Sequence, residues 1–328
     1  MAKFNELVLR SASHLAMPIA VYPGMALTGA KVRDIVTNPR AQCEASAALH
    51  NRYRTPFALS AMDLSVEAEA FGCGIHMTDD EIPTAITSVV ATVEQAQALI
   101  VPAVGTKRTQ VYLDTVKLLR QLPDKPLVFG GCIGPFSLAG RLVGLSEACG
   151  LTLDNPALMH TVLDKCTTFL TAYVQAFKAA GADGVVMAEP AAGLLSPRGL
   201  SAFSAAYIKR IVQAVEDGQF QIILHNCGAK LIHLPAILDS GPSAFHFGAP
   251  MDLAAALAKA PAQSVLCGNL DPTAVFLQST PEQLAAKTSE LLAATPAHRN
   301  FVISSGCDVP PGSPLVNLDA FYSAVERA

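Results

Sequence analysis

His225 and Cys227 stand two residues apart in the segment ILHNCG, at the end of an apolar, β-branched run. A third soft donor, Cys307, closes another such run far along the chain. Residues i and i+2 of an extended strand face the same side, so the imidazole and the first thiol can point into one space. One imidazole and two thiolates form a set that suits zinc. Three protein ligands would leave a coordination position for water or substrate, the arrangement of catalytic rather than structural zinc sites. Taken alone, the same residues read more readily as packed core thiols beside a hydrogen-bonded histidine, because free cysteine is among the most buried residue types.

Other polar residues also fall where apolar runs end: Asp63, Glu189, Asn269 and Asp271. Cys73 and His76 have a C-x-x-H spacing, but they lie among glycines with no second ligand pair nearby. His233 and His246 could approach a shared pocket or serve as structural groups. Cys43, Cys132, Cys149, Cys166 and Cys267 read as small core residues. The Gly130–Gly134 stretch has no downstream Lys-Ser/Thr, so it is no phosphate loop; close packing or a backbone-lined pocket is expected. Asp79-Asp80-Glu81 reads as a solvated face.

The elements that carry these residues alternate. Eight apolar runs are expected as strands: Pro18–Tyr22, Phe57–Met62, Leu127–Cys132, Gly184–Ala188, Gln221–Cys227, Ala244–Phe247, Ser264–Gly268 and Phe301–Ser305. Between them, Asn38-Pro39, Asn155-Pro156, Ser196-Pro197, Asp271-Pro272 and Thr280-Pro281 place a capping residue before a proline at the first helical position. The helix after Pro156 is expected to run to about Ala180 and stop at Gly181. Strand–helix alternation implies parallel pairing, and eight strands predict a single (β/α)8 TIM-type barrel over residues 1–328. Residues beyond the usual barrel length are assigned to an N-terminal helical extension and an insertion around Ile82–Gln121. A doubly wound sheet is the alternative, but the chain has no G-x-G-x-x-G, Walker A or G-x-S-x-G pattern. In a barrel, active sites collect at the C-terminal ends of the strands, where the polar residues named above fall.

Composition excludes several classes. The 328 residues are 51% hydrophobic and only 15% charged, with a net charge of −4 and no tryptophan. A basic stripe with stacking aromatics is absent, which disfavours nucleic-acid binding. Mean hydropathy is high at +0.36, yet the uncharged stretch Leu127–Gly140 is too short and too broken by glycine and proline to span a bilayer. The apolar excess therefore belongs to a large core. Glu6 and Arg10 interrupt the N-terminal segment, so no signal peptide is expected. Eight cysteines then point to reduced thiols in a cytoplasmic setting.

ILHNCG, the distant Cys307 within SSGCDVPPGSPLVN, ADGVVMAEPAAGLLSP at Ala182–Pro197 and AMDLSVEAEAFGC at Ala61–Cys73 together resemble the uroporphyrinogen decarboxylase superfamily. More narrowly, they resemble its zinc-dependent methylcobamide:coenzyme M methyltransferase branch. The resemblance runs from about Pro18 to Val316. It implies zinc on His225, Cys227 and Cys307, and methyl transfer from a methylated corrinoid (methylcobalamin type) to a small thiol acceptor. Glu189 is then a candidate fourth ligand or base, and Asp63 a candidate for orienting a ligand or substrate. No D-x-H-x-x-G segment occurs, so the corrinoid is expected on a separate corrinoid protein that docks at the barrel mouth. Coenzyme M, another thiol or tetrahydrofolate would fit as acceptor; Lys31, Arg33 and Arg198 are candidates to hold a sulfonate. The rival within the superfamily is the tetrapyrrole decarboxylase, whose N-terminal loop resembles a carboxylate grip built on arginine. Here that loop is AVYPGMALTG, and no arginine occurs between Ser11 and Val32, leaving such a polyanion without its bidentate partners. A non-catalytic corrinoid or tetrapyrrole carrier with structural zinc is the further alternative.

Overall fold

The protein is described by a computed structural model covering residues 2–295 and 299–328. Its main sheet has eight strands: β1 (Leu15–Ala16), β2 (Phe57–Leu59), β3 (Leu127–Ile133), β4 (Gly184–Ala188), β5 (Gln221–Asn226), β6 (Ala244–Phe247), β7 (Val265–Leu270) and β8 (Phe301–Ser305). Every neighbouring pair is parallel, in the order β1-β8-β7-β6-β5-β4-β3-β2, with helices in the connections. This is the curled (β/α)8 architecture expected from the alternation. Among the described residues no backbone ladder joins β1 to β2; the Thr55 hydroxyl donates to the Ala16 carbonyl across that seam at 3.5 Å.

The first strand is not the expected Pro18–Tyr22. It lies earlier, at Leu15–Ala16, and Pro18 is the reason: it has no N–H to extend the ladder. The Ile19 N–H goes to the Ser305 hydroxyl at 3.0 Å, and Tyr22–Gly24 forms a 3-10 turn. Strand β2 is likewise shorter than expected, and β7 runs two residues further, through Leu270. The Ile82–Gln121 stretch is only partly an insertion. Thr84–Ala85 pairs with Ile75–His76 as a small antiparallel hairpin, whereas Thr109–Leu119 is the helix that connects β2 to β3. Asn155 caps the long helix Pro156–Ala179, and Gly181 follows it with φ +96°, as expected.

The N-terminal helix, Lys3–Arg10, closes the end of the sheet away from the mouth. Phe4 packs tilted against Phe57 and edge-on against Phe129, with ring centroids 5.5 and 5.6 Å away. Asn5 donates to the Ser243 and Gln263 carbonyls and accepts from Gln221. With that end plugged and the interior filled by aliphatic and aromatic side chains, the C-terminal ends of the strands remain for chemistry. No helix among the described residues is long and apolar enough to cross a membrane.

Candidate metal centre

His225 is the fifth residue of β5, and Cys227 follows the strand's last residue. Cys307 lies two residues past the end of β8. One ligand atom from each of the three lies within 4.8 Å of the other two. Gly248, at the end of the neighbouring β6, lets the Cys227 backbone approach: a Cβ there would lie 2.1 Å from the Cys227 carbonyl oxygen. The two thiols perturb each other. Contact with Cys307 draws the Cys227 thiol down to about 7, while that contact and burial push Cys307 up to about 12.

A hydrogen-bond relay fixes which nitrogen of His225 carries the proton. The Ser304 hydroxyl donates its single proton to the Met17 carbonyl at 2.6 Å, so toward His246 Nε2, 2.8 Å away, it can only accept. His246 therefore carries its proton on Nε2. Burial, with His225 adjacent, holds its titration well below the usual histidine range, so its Nδ1 is a lone pair. His225 Nδ1, 2.8 Å from that lone pair, must be the donor. In the neutral ring, Nε2 of His225 is then an unprotonated acceptor. That atom is buried and has no hydrogen-bond partner. A buried lone pair aligned with two thiols is what a zinc ligand set requires, and the donor set fits the metal. The register makes the relay possible, since His225 and His246 are paired residues of β5 and β6.

The candidate acids lie outside the trio. Glu189 is 1% exposed. Its Oε1 accepts from the Phe136 N–H and the Ser204 hydroxyl, and its Oε2 from the Ser137 N–H, each at 2.8 Å. It thereby caps the N-terminus of helix Pro135–Val143, where an acid complements the exposed N–H groups and the helix dipole. Burial nevertheless raises its titration, the hydrogen bonds opposing the shift. Gly134 is needed for this approach, because a Cβ would lie 2.5 Å from Glu189 Oε2. Asp63 is buried and ion-paired with Arg108, and it accepts from the Ser65 amide and hydroxyl. The remaining groups of Arg108 reach Glu69 at 2.6 Å and the Ser65 hydroxyl at 2.8 Å.

Other expectations resolve into structural roles. Asp271 caps Pro272–Leu277, and Asn269 ties β7 to the Gly248 and Met251 carbonyls. His233 accepts from the Lys230 amide, and its other nitrogen faces the Leu195 carbonyl. Cys73 is buried, while His76 is exposed on the hairpin. Lys31 and Arg33 both hold Asp79 at the surface, and Arg198 is exposed. All eight cysteines are free. Three groups were not anticipated: the Ser304 link of the relay, and the buried carboxyls of Glu67 and Asp308. Glu67 has one unpartnered oxygen and Asp308 two. Their signal is tertiary, since only the fold shows that neither finds a full set of partners.

The family description "Uroporphyrinogen decarboxylase (URO-D)" matches residues 16–328, and the chain belongs to that family. Within it, the chain is 30% identical over 278 residues to a methylcobamide:CoM methyltransferase of Methanosarcina mazei, covering 84% of this chain and 79% of that protein. It is also 29% identical over 320 residues to a uroporphyrinogen decarboxylase of Ectopseudomonas mendocina, covering 93% and 89% respectively. Among solved structures, a methyltransferase from Methanosarcina mazei superposes with a TM-score of 0.89 at 22% identity, covering 98% of this chain and 96% of the other. That likeness establishes the shared fold.

Proposed function

We propose that this protein transfers a methyl group from a methylated corrinoid, delivered by a partner corrinoid protein at the barrel mouth, to a small thiol acceptor. The observation that carries the reading is the unpartnered, buried Nε2 of His225 beside the Cys227 and Cys307 sulfurs. Zinc bound by these three residues would hold the acceptor sulfur as a thiolate at neutral pH. In the overall reaction a sulfur–carbon bond forms as the cobalt–carbon bond breaks, cobalt keeps the bonding pair, and the thiol proton leaves to solvent. The chain's own residues prepare that chemistry. His246 and Ser304 keep the His225 lone pair available, and Asp63 orders the adjacent wall through Arg108. Glu189 secures the helix after β3 rather than supplying a ligand.

Two observations weigh against the alternatives. Among the described residues no fourth histidine, cysteine or carboxylate joins the trio, which supports an exchangeable position over a closed structural site. A substrate with many carboxylates would need free cations, whereas Arg108 is already engaged by Asp63 and Glu69. The test is metal analysis followed by methylcobalamin demethylation with a panel of thiols, read as the absorbance change from methyl-cobalt to Co(I). About one zinc per chain with thiol-dependent turnover is expected, with zinc content falling sharply in Cys227→Ser and Cys307→Ser. Full zinc occupancy in either variant overturns the ligand assignment; zinc without turnover for any thiol overturns the methyltransferase reading.

A further inference from the structure

On the β8–β1–β2–β3 side of the mouth, Asp63 and Glu69 engage the Arg108 guanidinium, and two further acids, Glu67 and Asp308, stand near Asp63. Arg108 spends its donors on Asp63, Ser65 and Glu69. Glu67, 1% exposed, accepts from the Ile133 N–H through Oε1 and leaves Oε2 without a partner. Asp308 follows Cys307 directly, and both its oxygens are buried and unpartnered. Tyr22 cannot supply the missing donor, because its hydroxyl donates to the Met62 carbonyl at 3.0 Å. The Tyr112 hydroxyl, also buried, has no partner either. Desolvation holds the Glu67 carboxyl toward its neutral form.

Unsatisfied buried carboxyl oxygens are rare in folded proteins because each forfeits its hydrogen bonds to water. Here three such oxygens belong to two residues that both stand near Asp63 and the buried Tyr112 hydroxyl. A metal ion is not their natural guest: among the described residues the only group of three or more ligands that converges within 4.8 Å is the His225–Cys227–Cys307 trio. An anion would gain nothing from Arg108, whose charge is already engaged by Asp63 and Glu69. A group bearing several N–H donors and a positive charge meets both requirements.

We propose that Glu67 and Asp308 form a subsite for an ammonium group of the acceptor, so that the preferred acceptor is an aminothiol rather than a sulfonated thiol. This deepens the proposed methyl transfer and rests on it. Asp308 is adjacent to Cys307 in the chain, so the ammonium and the acceptor sulfur would be held from one loop, as a thiol and an amine joined by a short carbon chain require. The ammonium donates to Glu67 Oε2 and to Asp308, and its positive charge favours the Glu67 carboxylate over the neutral form that burial otherwise holds.

The test uses Co(II)-substituted holoprotein and the thiolate-to-cobalt charge-transfer band. Cysteamine, its neutral analogue N-acetylcysteamine and 2-mercaptoethanesulfonate are titrated into wild type, Glu67→Gln and Asp308→Asn. Comparing wild type with each variant cancels the thiols' intrinsic basicities. Loss of a charge-assisted hydrogen bond should weaken cysteamine by about tenfold in each variant, with N-acetylcysteamine unchanged and the sulfonate unchanged or tighter. The Glu67 variant keeps the inference testable if substitution beside Cys307 disturbs the metal. Thiols that bind with equal losses, or none, in the variants overturn the aminothiol subsite and leave the thiol-acceptor reading standing. A band that no thiol perturbs overturns both.

Discussion

The relay from Ser304 to His225 makes a quantitative prediction. Removing the Ser304 hydroxyl takes away the acceptor for His246 Nε2–H, at a position where His246 is 0% exposed. The metal-free protein then has two ways to respond. His246 can keep its tautomer and bury an unsatisfied N–H, which costs about 1–3 kcal/mol. Otherwise its proton moves to Nδ1, and His225 must place its own proton on Nε2, where the metal would bind. The second route spares the metal-free protein but has to be reversed when zinc enters. In a thermodynamic cycle both routes meet in the zinc-bound form, which must hold His246 with Nε2 protonated and unpaired. The loss of metal-free stability and the loss of zinc binding energy in Ser304→Ala should therefore sum to about 1–3 kcal/mol.

If the whole effect appears in affinity, zinc weakens by about 5- to 150-fold, overlapping the 10–100-fold range known for partners that orient metal ligands. If it appears in stability, the melting temperature of both forms falls by about 1.5–4 °C. Zinc competition against a chelating dye, with thermal unfolding of both forms, measures the two quantities. His246→Phe provides the companion variant, since it leaves the His225 Nδ1–H without an acceptor and should weaken zinc at least as much. A Ser304→Ala protein unchanged in both zinc affinity and melting temperature refutes the tautomer assignment.

Glu189→Gln replaces one of two accepting oxygens with a donor facing the N-terminus of helix Pro135–Val143; stability should fall by about 1–3 kcal/mol with zinc content unchanged, measured by denaturant unfolding and metal analysis. Burial raises Glu67 to about 8, so the folded state holds a proton that the unfolded chain has released. Stability should therefore be greatest below the unfolded carboxylate range, near ~4.3, and decline as pH rises toward 8, by up to about 1.4 kcal/mol per pH unit for this group. Glu67→Gln should remove that part of the slope in unfolding free energies collected across this window; an unchanged slope would place the titration elsewhere.

What the sequence revealed follows from the geometry of a parallel barrel. Each apolar run points its last residues at one face, so a polar residue closing a run lands near the mouth whatever the register. That is why His225, Cys227 and Cys307 were legible as a set, and why Asp63 and Glu189 were selected with them. Register, however, decides what a mouth residue touches. Glu189 reads as a free acid in sequence, yet helix Pro135–Val143, on the neighbouring β3 unit, aims its N–H groups at both oxygens. His246, alternating with phenylalanines in AFHF, reads as a core histidine until β6 pairs it with His225. Strand β1 was misplaced because Pro18, though apolar, cannot donate to the ladder beside Ile303 and Ser305. Glu67 and Asp308 carried no legible signal, since an unpaired oxygen is a property of everything around it. The protein therefore distinguishes two kinds of buried acid at one mouth. Asp63 and Glu189 are satisfied by the fold and support it, whereas Glu67 and Asp308 are left wanting donors. Two carboxyls with unpartnered oxygens beside one mouth, with the nearby guanidinium already engaged, point to a ligand that brings the donors.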